Sequence, residues 1–393
     1  MTLVAQLLFW LPVALLAWIY AGYPAAAWVA GRLRPFVTRT AGPPPRLVTV
    51  AIAAHDEAGA IEERIADALA QQVDFELEVI VGSDGSTDGT DDVVRALAAR
   101  DGRVRLLALD RGGQTETQNR IFAAARGEVV VLTDAETRFT GDCLARLVAP
   151  FSDPRVGCVT GRLEWLDEDR TATSHNEGLY WRYEQLVRTL ESRAGWLTAV
   201  TGALLAVRRE LYRPVPAHAS MDHLLPLYVR EHGHVVLAEP RAVATDRGIA
   251  GLRQQFRNRA RTATRGIQAN LSMAGRLSPW RQPTAALAIW SHKLLRWGTP
   301  WLLLLGGLGA LWSVALGIDL YLLPLALGVL GVAMAVIGWI ARDRGARAAW
   351  AAAPLAVGVV NIAFFVGWLN LLRGHRIDAW RRDEWRTQSQ RSR

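Results

Sequence analysis

Cysteine and lysine are nearly missing from these 393 residues. Cys143 and Cys158 are too few for a disulfide framework or a recognisable metal site. They fit a reducing compartment, with each cysteine a small buried residue. Lys293 is the only lysine, so the formal net charge of +8 rests on arginine, a bias that reads as compositional. The basic residues do not gather in the middle of the chain but flank apolar runs. That argues against nucleic acid as a partner and fits anionic lipid headgroups. No Gly-x-Gly-x-x-Gly follows the first β-rich run, which removes a dinucleotide-binding dehydrogenase from consideration. Low-complexity segments and fixed-period repeats are also missing.

What is there begins with apolar length. Residues 3–30 carry no charged side chain and exceed the ~20 residues a helix needs to span a bilayer. A cleaved leader would start with basic residues and have a shorter apolar core. Here Arg32, Arg34 and Arg39 follow the run instead, so it reads as a retained span whose C-terminal end is cytoplasmic. Three more apolar stretches lie at 297–317, 320–341 and 349–372, with the basic hairpin 342–347 between the last two. Trp301, Trp312, Trp339, Trp350 and Trp368 fall mostly near their ends, as interfacial anchors do. One N-terminal and three C-terminal crossings would place the tail outside, yet its arginines argue for inside. Either one stretch is re-entrant or 284–301 lies deeper in the bilayer.

Between the spans, 46–246 alternates β-rich and helical runs. LVTVAIAAH, LEVIVGSD, VRLLALD and EVVVLTDAE read as strands; AGAIEERIADALAQ, TDDVVRALAARD and TETQNRIFAAAR read as helices. Continuous apolar strands alternating with helices predict an α/β fold with a mostly parallel sheet covered on both faces. Ligands of such sheets sit at the carboxyl ends of the strands. Acidic residues gather at those ends: His55-Asp56-Glu57, then Asp84 through Asp88, then Asp134-Ala135-Glu136. Each alone can be a helix cap, and for Thr87-Asp88, ahead of the helix from 90, capping is the better reading. Three in register at one sheet edge point to a site, since buried carboxylates need partners.

The series VTVAIAAHDEAGAIEERI, EVIVGSDGSTDGT, GEVVVLTDAET and TGALLAVRREL resembles the family 2 inverting glycosyltransferases of the GT-A fold. It is most similar to the membrane-bound bacterial members that build surface polysaccharides. The resemblance covers residues 46–275 in its motifs, and the flanking spans match that group's layout. It implies transfer of a sugar from a nucleotide-sugar donor, a UDP-sugar, to a lipid-linked or glycan acceptor at the cytoplasmic face of the inner membrane. Ala53, His55 and Glu57 are then expected to wrap the base and ribose, and Asp84 to accept a hydrogen bond from the base. Asp134 and Glu136 take the place of the Asp-x-Asp element; alternation in an extended segment would turn both to the diphosphate. They would hold a divalent metal, Mg²⁺ or Mn²⁺, through hard oxygen ligands. Asp222 matches the segment that supplies the base, where Met221 replaces a frequent first acid; the competing readings are a helix cap at Asp222 and His223 as base. Thr201, Gly202 and Ala203 fall under the donor sugar and acceptor.

The chain departs from the family pattern at two further places. Gln254-Gln255-Phe256-Arg257 keeps the Gln and Arg spacing of the Gln-x-x-Arg-Trp element, but Asn258 stands where the tryptophan would be, which argues against processive chain growth. Arg257 or Arg261 is expected on the diphosphate, or else this helix lies basic face down on the lipid. Gln114 stands where relatives carry Lys, while Asn119 is kept. The resulting layout is an N-terminal span (1–34), a GT-A domain (46–250), interfacial helices (251–293), C-terminal spans (294–373) and a basic tail (374–393). The rival reading from another class is a membrane assembly or transport component with a relic transferase domain.

Overall fold

The computed structural model describes residues 1–166, 172–247, 252–341 and 349–374. The basic hairpin 342–347 and the tail from 375 onward lie outside the described residues. The N-terminal apolar run forms α1 (Thr2–Ala17) and α2 (Tyr23–Leu33), joined by a wide π-turn at Trp18–Gly22. Pro24 has no N–H to return to the preceding turn, which accounts for the widening just before it. Taken together, Thr2–Leu33 is long and apolar enough to cross a membrane.

The sheet domain opens with β1 (Leu47–Ala54), α3 (Ile61–Leu69), β2 (Glu76–Asp84), α4 (Thr90–Ala98), β3 (Val104–Leu109), α5 (Gln114–Ala124) and β4 (Val129–Asp134). These match the expected strand and helix runs. It continues with β5 (Arg138–Phe139), α6 (Cys143–Val148), β6 (Val156–Leu166), α7 (Ala172–Ala194), β7 (Leu204–Arg208), α8 (Met221–Glu231) and β8 (Val235–Arg247). The spatial order is β3-β2-β1-β4-β7-β6-β8-β5. Pairs β1–β2, β2–β3, β1–β4 and β6–β8 are parallel, while β7 runs antiparallel to β4 and β6, and β5 antiparallel to β8. The result is a mixed, mostly parallel sheet, as the alternation of strands and helices predicts.

Alternation along β1 divides the core. Val48, Val50, Ile52 and Ala54 pack with Ile61 and Ile65 of α3, while Ala51 packs with Ile121 and Phe122 of α5. A fully buried side chain of this size contributes about 1.5–3 kcal/mol. Cys143 and Cys158 are both buried and free, as expected, and burial pushes the Cys143 thiol up to about 12.

Beyond the sheet come α9 (Leu252–Ala274), α10 (Pro283–Ala288), a π-turn at Ile289–Leu294, α11 (Leu295–Trp297), α12 (Thr299–Ala315), α13 (Leu322–Ile340) and α14 (Ala349–Leu372). Asp319–Ile340 and Ala353–Leu372 are each long and apolar enough to span. The first C-terminal stretch differs from the expected single span over 297–317. Pro283–Trp297 and Thr299–Ala315 meet at 64° around Gly298, with Pro300 opening the second piece. The expected alternatives, a re-entrant stretch or a deeper 284–301, thus merge into one broken element. α1 packs along α12, and α14 lies against α9 and α11: Asn370 Nδ2 donates to Thr264 Oγ1 of α9 at 3.2 Å and Trp368 Nε1 to the Trp297 carbonyl of α11 at 3.0 Å.

Candidate active site

The strand order places the ligand crevice. From β1 the chain adds β2 and β3 on one side, then returns to lay β4 on the other, so the carboxyl ends of β1 and β4 diverge at a topological switch point. Ala53 of β1 and Asp134 of β4 are register partners at that edge.

The loops after β1 and β2 lock into each other there. His55 Nδ1 lies 2.8 Å from the Asp84 carbonyl, and Asp56 N–H donates to Ser86 Oγ at 3.2 Å. The Asp56 carboxylate receives Thr87 N–H at 2.8 Å. Asp56 is the one non-glycine residue with positive φ (52°) among the described residues, a conformation that aspartate tolerates and that concentrates at functional sites. Buried Glu57 donates its N–H to Thr90 Oγ1 at 2.9 Å. Asp88 accepts from the N–H of Ala58 and of Thr90, both at 3.0 Å. Burial raises its pKa, but these bonds and the Thr90 hydroxyl lower it more. The cap expected at Thr87-Asp88 is therefore real but offset: Gly89 is the N-cap, and Asp88 serves the helix start and the neighbouring loop together.

Asp84, at the end of β2, is 3% exposed and already holds partners from the next loop. Arg111 Nη1 donates to Oδ2 at 2.9 Å, Gly112 N–H to Oδ1 at 2.7 Å, and Gly113 N–H to both oxygens at 2.9 and 3.1 Å. Asp84 thus holds the 111–113 loop against the end of β2. The same strap reaches Asp134, since Gln114 Nε2 donates to Oδ1 at 3.2 Å. The amide at the departed Lys position therefore contacts the first acid of the Asp-x-Glu element directly. Asn119 is structural: it accepts from Tyr212 Oη and Val215 N–H and donates to the Val215 carbonyl.

The second acid also departs from expectation. β4 ends at Asp134, and Thr137 N–H closes a turn onto the Asp134 carbonyl at 3.3 Å, so 134–136 is not extended. The chain must turn here to bring β5 beside β8. Asp134 is half-buried at the crevice and Glu136 is exposed on the turn.

Asp222 sits in the first turn of α8, whose N-cap is Ser220, so the competing cap reading is not met. Its side chain keeps 27% exposure, with His223 Nδ1 at 3.3 Å from Oδ1. Burial alone would raise its pKa; His223, Ser220 and Arg265 outweigh that and hold the carboxyl well below the usual range. His223 is itself engaged, with Nδ1 2.6 Å from Ser220 Oγ and its ring 6.1 Å from that of Trp297. Gly202 lies against Asp222: a Cβ there would stand 3.4 Å from its Cβ and Cγ. Thr201 and Ala203 on either side are buried.

α9 supplies the arginines and separates them. Arg257 is exposed, whereas Arg261 lies inward, where Asp222 and Asp134 both favour its charge against burial and Arg265. Arg261 therefore stands within electrostatic reach of both halves of the crevice. Arg265 ties α9 to Thr115 Oγ1 at 2.8 Å and to the Ala219 carbonyl. Arg208 and Arg209 bind backbone carbonyls of Val156 and Gly127 and are structural. Sequence reasoning missed a buried ion cluster centred on Glu184, joined by Arg188, His292, Lys293 and Arg296. Its available signal was the His292-Lys293 pair inside an apolar stretch, since charges there need partners.

Comparison with known proteins decides the class. Residues 49–215 match the model of Glycosyl transferase family 2. The chain carries a family 2 glycosyltransferase domain. An N-acetylglucosaminyltransferase of Rhizobium meliloti is 26% identical to this transferase over 257 residues, 61% of this chain and 60% of the relative. The chondroitin synthase of Pasteurella multocida is 31% identical over 114 residues, 29% of this chain and 12% of the synthase. The match thus spans less than two thirds of the length of either relative. Among solved structures, a mannosyltransferase from Pyrobaculum calidifontis, in complex with GDP-Man and Mn²⁺, superposes with a TM-score of 0.67 at 22% identity, covering 93% of this chain and 99% of that chain. That likeness is one of fold, and it extends over the sheet and the apolar helices alike.

Proposed function

We propose that this transferase moves a sugar, with inversion, from a UDP-sugar to a lipid-linked or glycan acceptor at the cytoplasmic membrane face. The observation that carries the reading is the place of Asp222, part-exposed in the first turn of α8 with Gly202 against it, while Arg261 of α9 lies inward, its charge favoured by both Asp222 and Asp134. An inverting displacement needs one base. The acceptor hydroxyl oxygen bonds to the anomeric carbon, its proton passes to Asp222, and the bond from that carbon to the diphosphate oxygen breaks. Gly202, without a side chain, leaves room for sugar beside the carboxylate. Arg261 is placed to pair with the diphosphate. The names of the relatives, an N-acetylglucosaminyltransferase and a chondroitin synthase, make N-acetylhexosamine donors the first to try.

The residues present suit a divalent cation. Asp134 at the strand end and Glu136 on the exposed turn offer hard oxygen donors, and no third His, Cys, Asp or Glu joins them among the described residues. That set fits Mg²⁺ or Mn²⁺ sharing its coordination with phosphate and water. Bound there, the cation would supply positive charge against the charge gathering on the leaving diphosphate. The bound nucleotide is held by the β1 and β2 loops around Ala53, His55 and Glu57, with Asp84 acting through the 111–113 strap. The three long apolar helices support membrane attachment, which would let a lipid-held acceptor reach the site by lateral diffusion.

The test is binding and turnover with a panel of UDP-, GDP- and TDP-sugars, with and without Mn²⁺ or Mg²⁺, in detergent. Metal-dependent binding of one UDP-sugar, lost in Asp134→Ala, is expected. Selective turnover of a GDP-sugar would overturn the donor assignment and leave the class standing. Binding of no donor under any condition would favour the relic domain.

A further inference from the structure

The ion cluster around Glu184 lies outside the crevice, yet one of its members reaches into it. Glu184 of α7 is 2% exposed and takes four cationic or imidazole groups. Arg188 Nε stands at 3.2 Å, His292 Nε2 at 3.2 Å, Lys293 Nζ at 2.8 Å and Arg296 Nη1 at 2.6 Å. The last three belong to the first limb of the broken apolar element, at its π-turn and α11. His292 Nδ1 also meets Glu191, which accepts from Tyr23 Oη at the start of α2. Burying this much charge is costly unless each group is matched, so the cluster fixes the relative seating of α2, α7 and the broken element.

Arg188 is the outlet. While its Nε is held by Glu184, its Nη1 donates to Thr201 Oγ1, and the Thr201 N–H in turn donates to Thr160 Oγ1 at 3.0 Å. The next residue is Gly202, whose backbone backs Asp222. We infer that Arg188 and Thr201 are positioning residues for transfer: they set the 201–203 backbone against Asp222, and Glu184 makes that setting depend on how the broken membrane element is seated. This rests on the reading of Asp222 as base. An ordinary salt bridge would hold the fold and leave kcat per folded molecule unchanged. A positioning chain predicts a kcat effect with little change in donor KM, because a small misplacement of reacting groups costs up to about 100-fold in rate.

The deciding comparison is Thr201→Val, which deletes the acceptor oxygen at nearly constant shape, against Thr201→Ser, which keeps it. Both are assayed beside wild type and Glu184→Gln in the full-length protein. Thr201→Val is expected to lower kcat about tenfold or more while donor KM holds, and Thr201→Ser to restore most of it. Glu184→Gln should fall the same way, and the double variant Glu184→Gln/Thr201→Val should lose little beyond the worse single, since linked residues are non-additive. Losses that multiply, or Thr201→Val turning over like wild type, would overturn the inference while the transferase reading stands. Wild type inert with every donor would overturn that reading instead. Should Glu184→Gln not fold, the Val and Ser pair at 201 decides alone.

Discussion

One face of the central sheet is closed by α3, α4 and α6; the other is closed by α5, α8 and α9 and then runs on into the apolar helices. On the first face Ile61, Ile65, Val94, Leu144 and Leu147 complete a core made only of sheet-domain residues. On the second, Ile121, Leu225 and Ile267 share one continuous core with Ile289, Leu294, Trp297 and Phe364. The site divides along the same line. The half proposed to hold the nucleotide, the loops after β1 and β2, is made of segments close in sequence and locked by hydrogen bonds between backbone and side chains. The half proposed to carry transfer, Asp222, Gly202 and Arg261, comes from α8, α9 and the 201–203 turn, on the side that runs on into the apolar helices. On the proposed reading, seating of the apolar helices is expected to bear on transfer more than on nucleotide binding.

The largest expected effect lies where the halves meet. Asp222→Asn should lower kcat by about 10²–10⁴, the usual worth of a general base, while nucleotide-sugar binding measured by calorimetry is retained. Because the carboxyl is held below the usual range, wild-type turnover should stay level as pH falls through ordinary carboxylate values and drop only below them. Loss of binding together with turnover would mean that the two halves are not separable.

A paired core experiment breaks the comparison directly. Trp297→Ala should cost about 3–5 kcal/mol and Ile65→Ala about 2–5 kcal/mol, read as thermal midpoints in detergent. The faces differ if only Trp297→Ala also lowers kcat of the surviving folded protein, because its ring packs on Gly266 and His223 beside Asp222. Equal kcat losses in both variants would show that the sheet transmits either defect. Next in size, Arg261→Ala should weaken donor binding by about 1.5–3 kcal/mol, as for a hydrogen bond to a charged group, and exposed Arg257→Ala should leave it nearly unchanged. The reverse order, from titration of each variant, would reassign the diphosphate contact.

The smallest effect tests the far edge of the sheet. Glu78, 1% exposed, accepts from Thr49 Oγ1 at 2.7 Å, Arg105 Nη1 at 2.6 Å, and Arg126 Nε and N–H at 2.7 and 3.0 Å. Burial would raise its pKa, but these bonds bring it down to about 2. A lowered folded-state pKa adds stability above the unfolded value of about 4.3 and loses it as pH falls towards 2. The stability gap between wild type and Glu78→Gln should therefore shrink over that window in acid-unfolding curves. A constant gap would remove the ionised cluster as its cause.

Much of the first half was legible because its signals are local. Apolar runs of strand length, helical spacing between them and acids at strand ends predict β1 to β4 and the edge where they open. What was not legible there lies in contacts between segments. The 111–113 loop folds back onto Asp84, which the place of that residue at a strand end does not encode. Asp134 and Glu136 read as alternating until β5 demands a turn. The second half was less legible: β5 and β8 join strands far apart in the chain, and the arginine of α9 that meets the crevice is chosen by packing on α8 and α14, which spacing does not encode.

The sequence by itself determined the run of the first strands and helices, the apolar lengths and the acids at strand ends, because period, run length and strand-end chemistry are properties of neighbouring residues; the class came from the resemblance of its motifs to a family. Only the tertiary structure decided which carboxylates are already satisfied, that Arg261 rather than Arg257 turns inward, that one apolar stretch is broken, and that Glu184 ties it through Arg188 to the turn beside Asp222. Those outcomes depend on burying charge and matching partners across long separations, where the cost of an unmatched group, rather than any local preference, selects the arrangement.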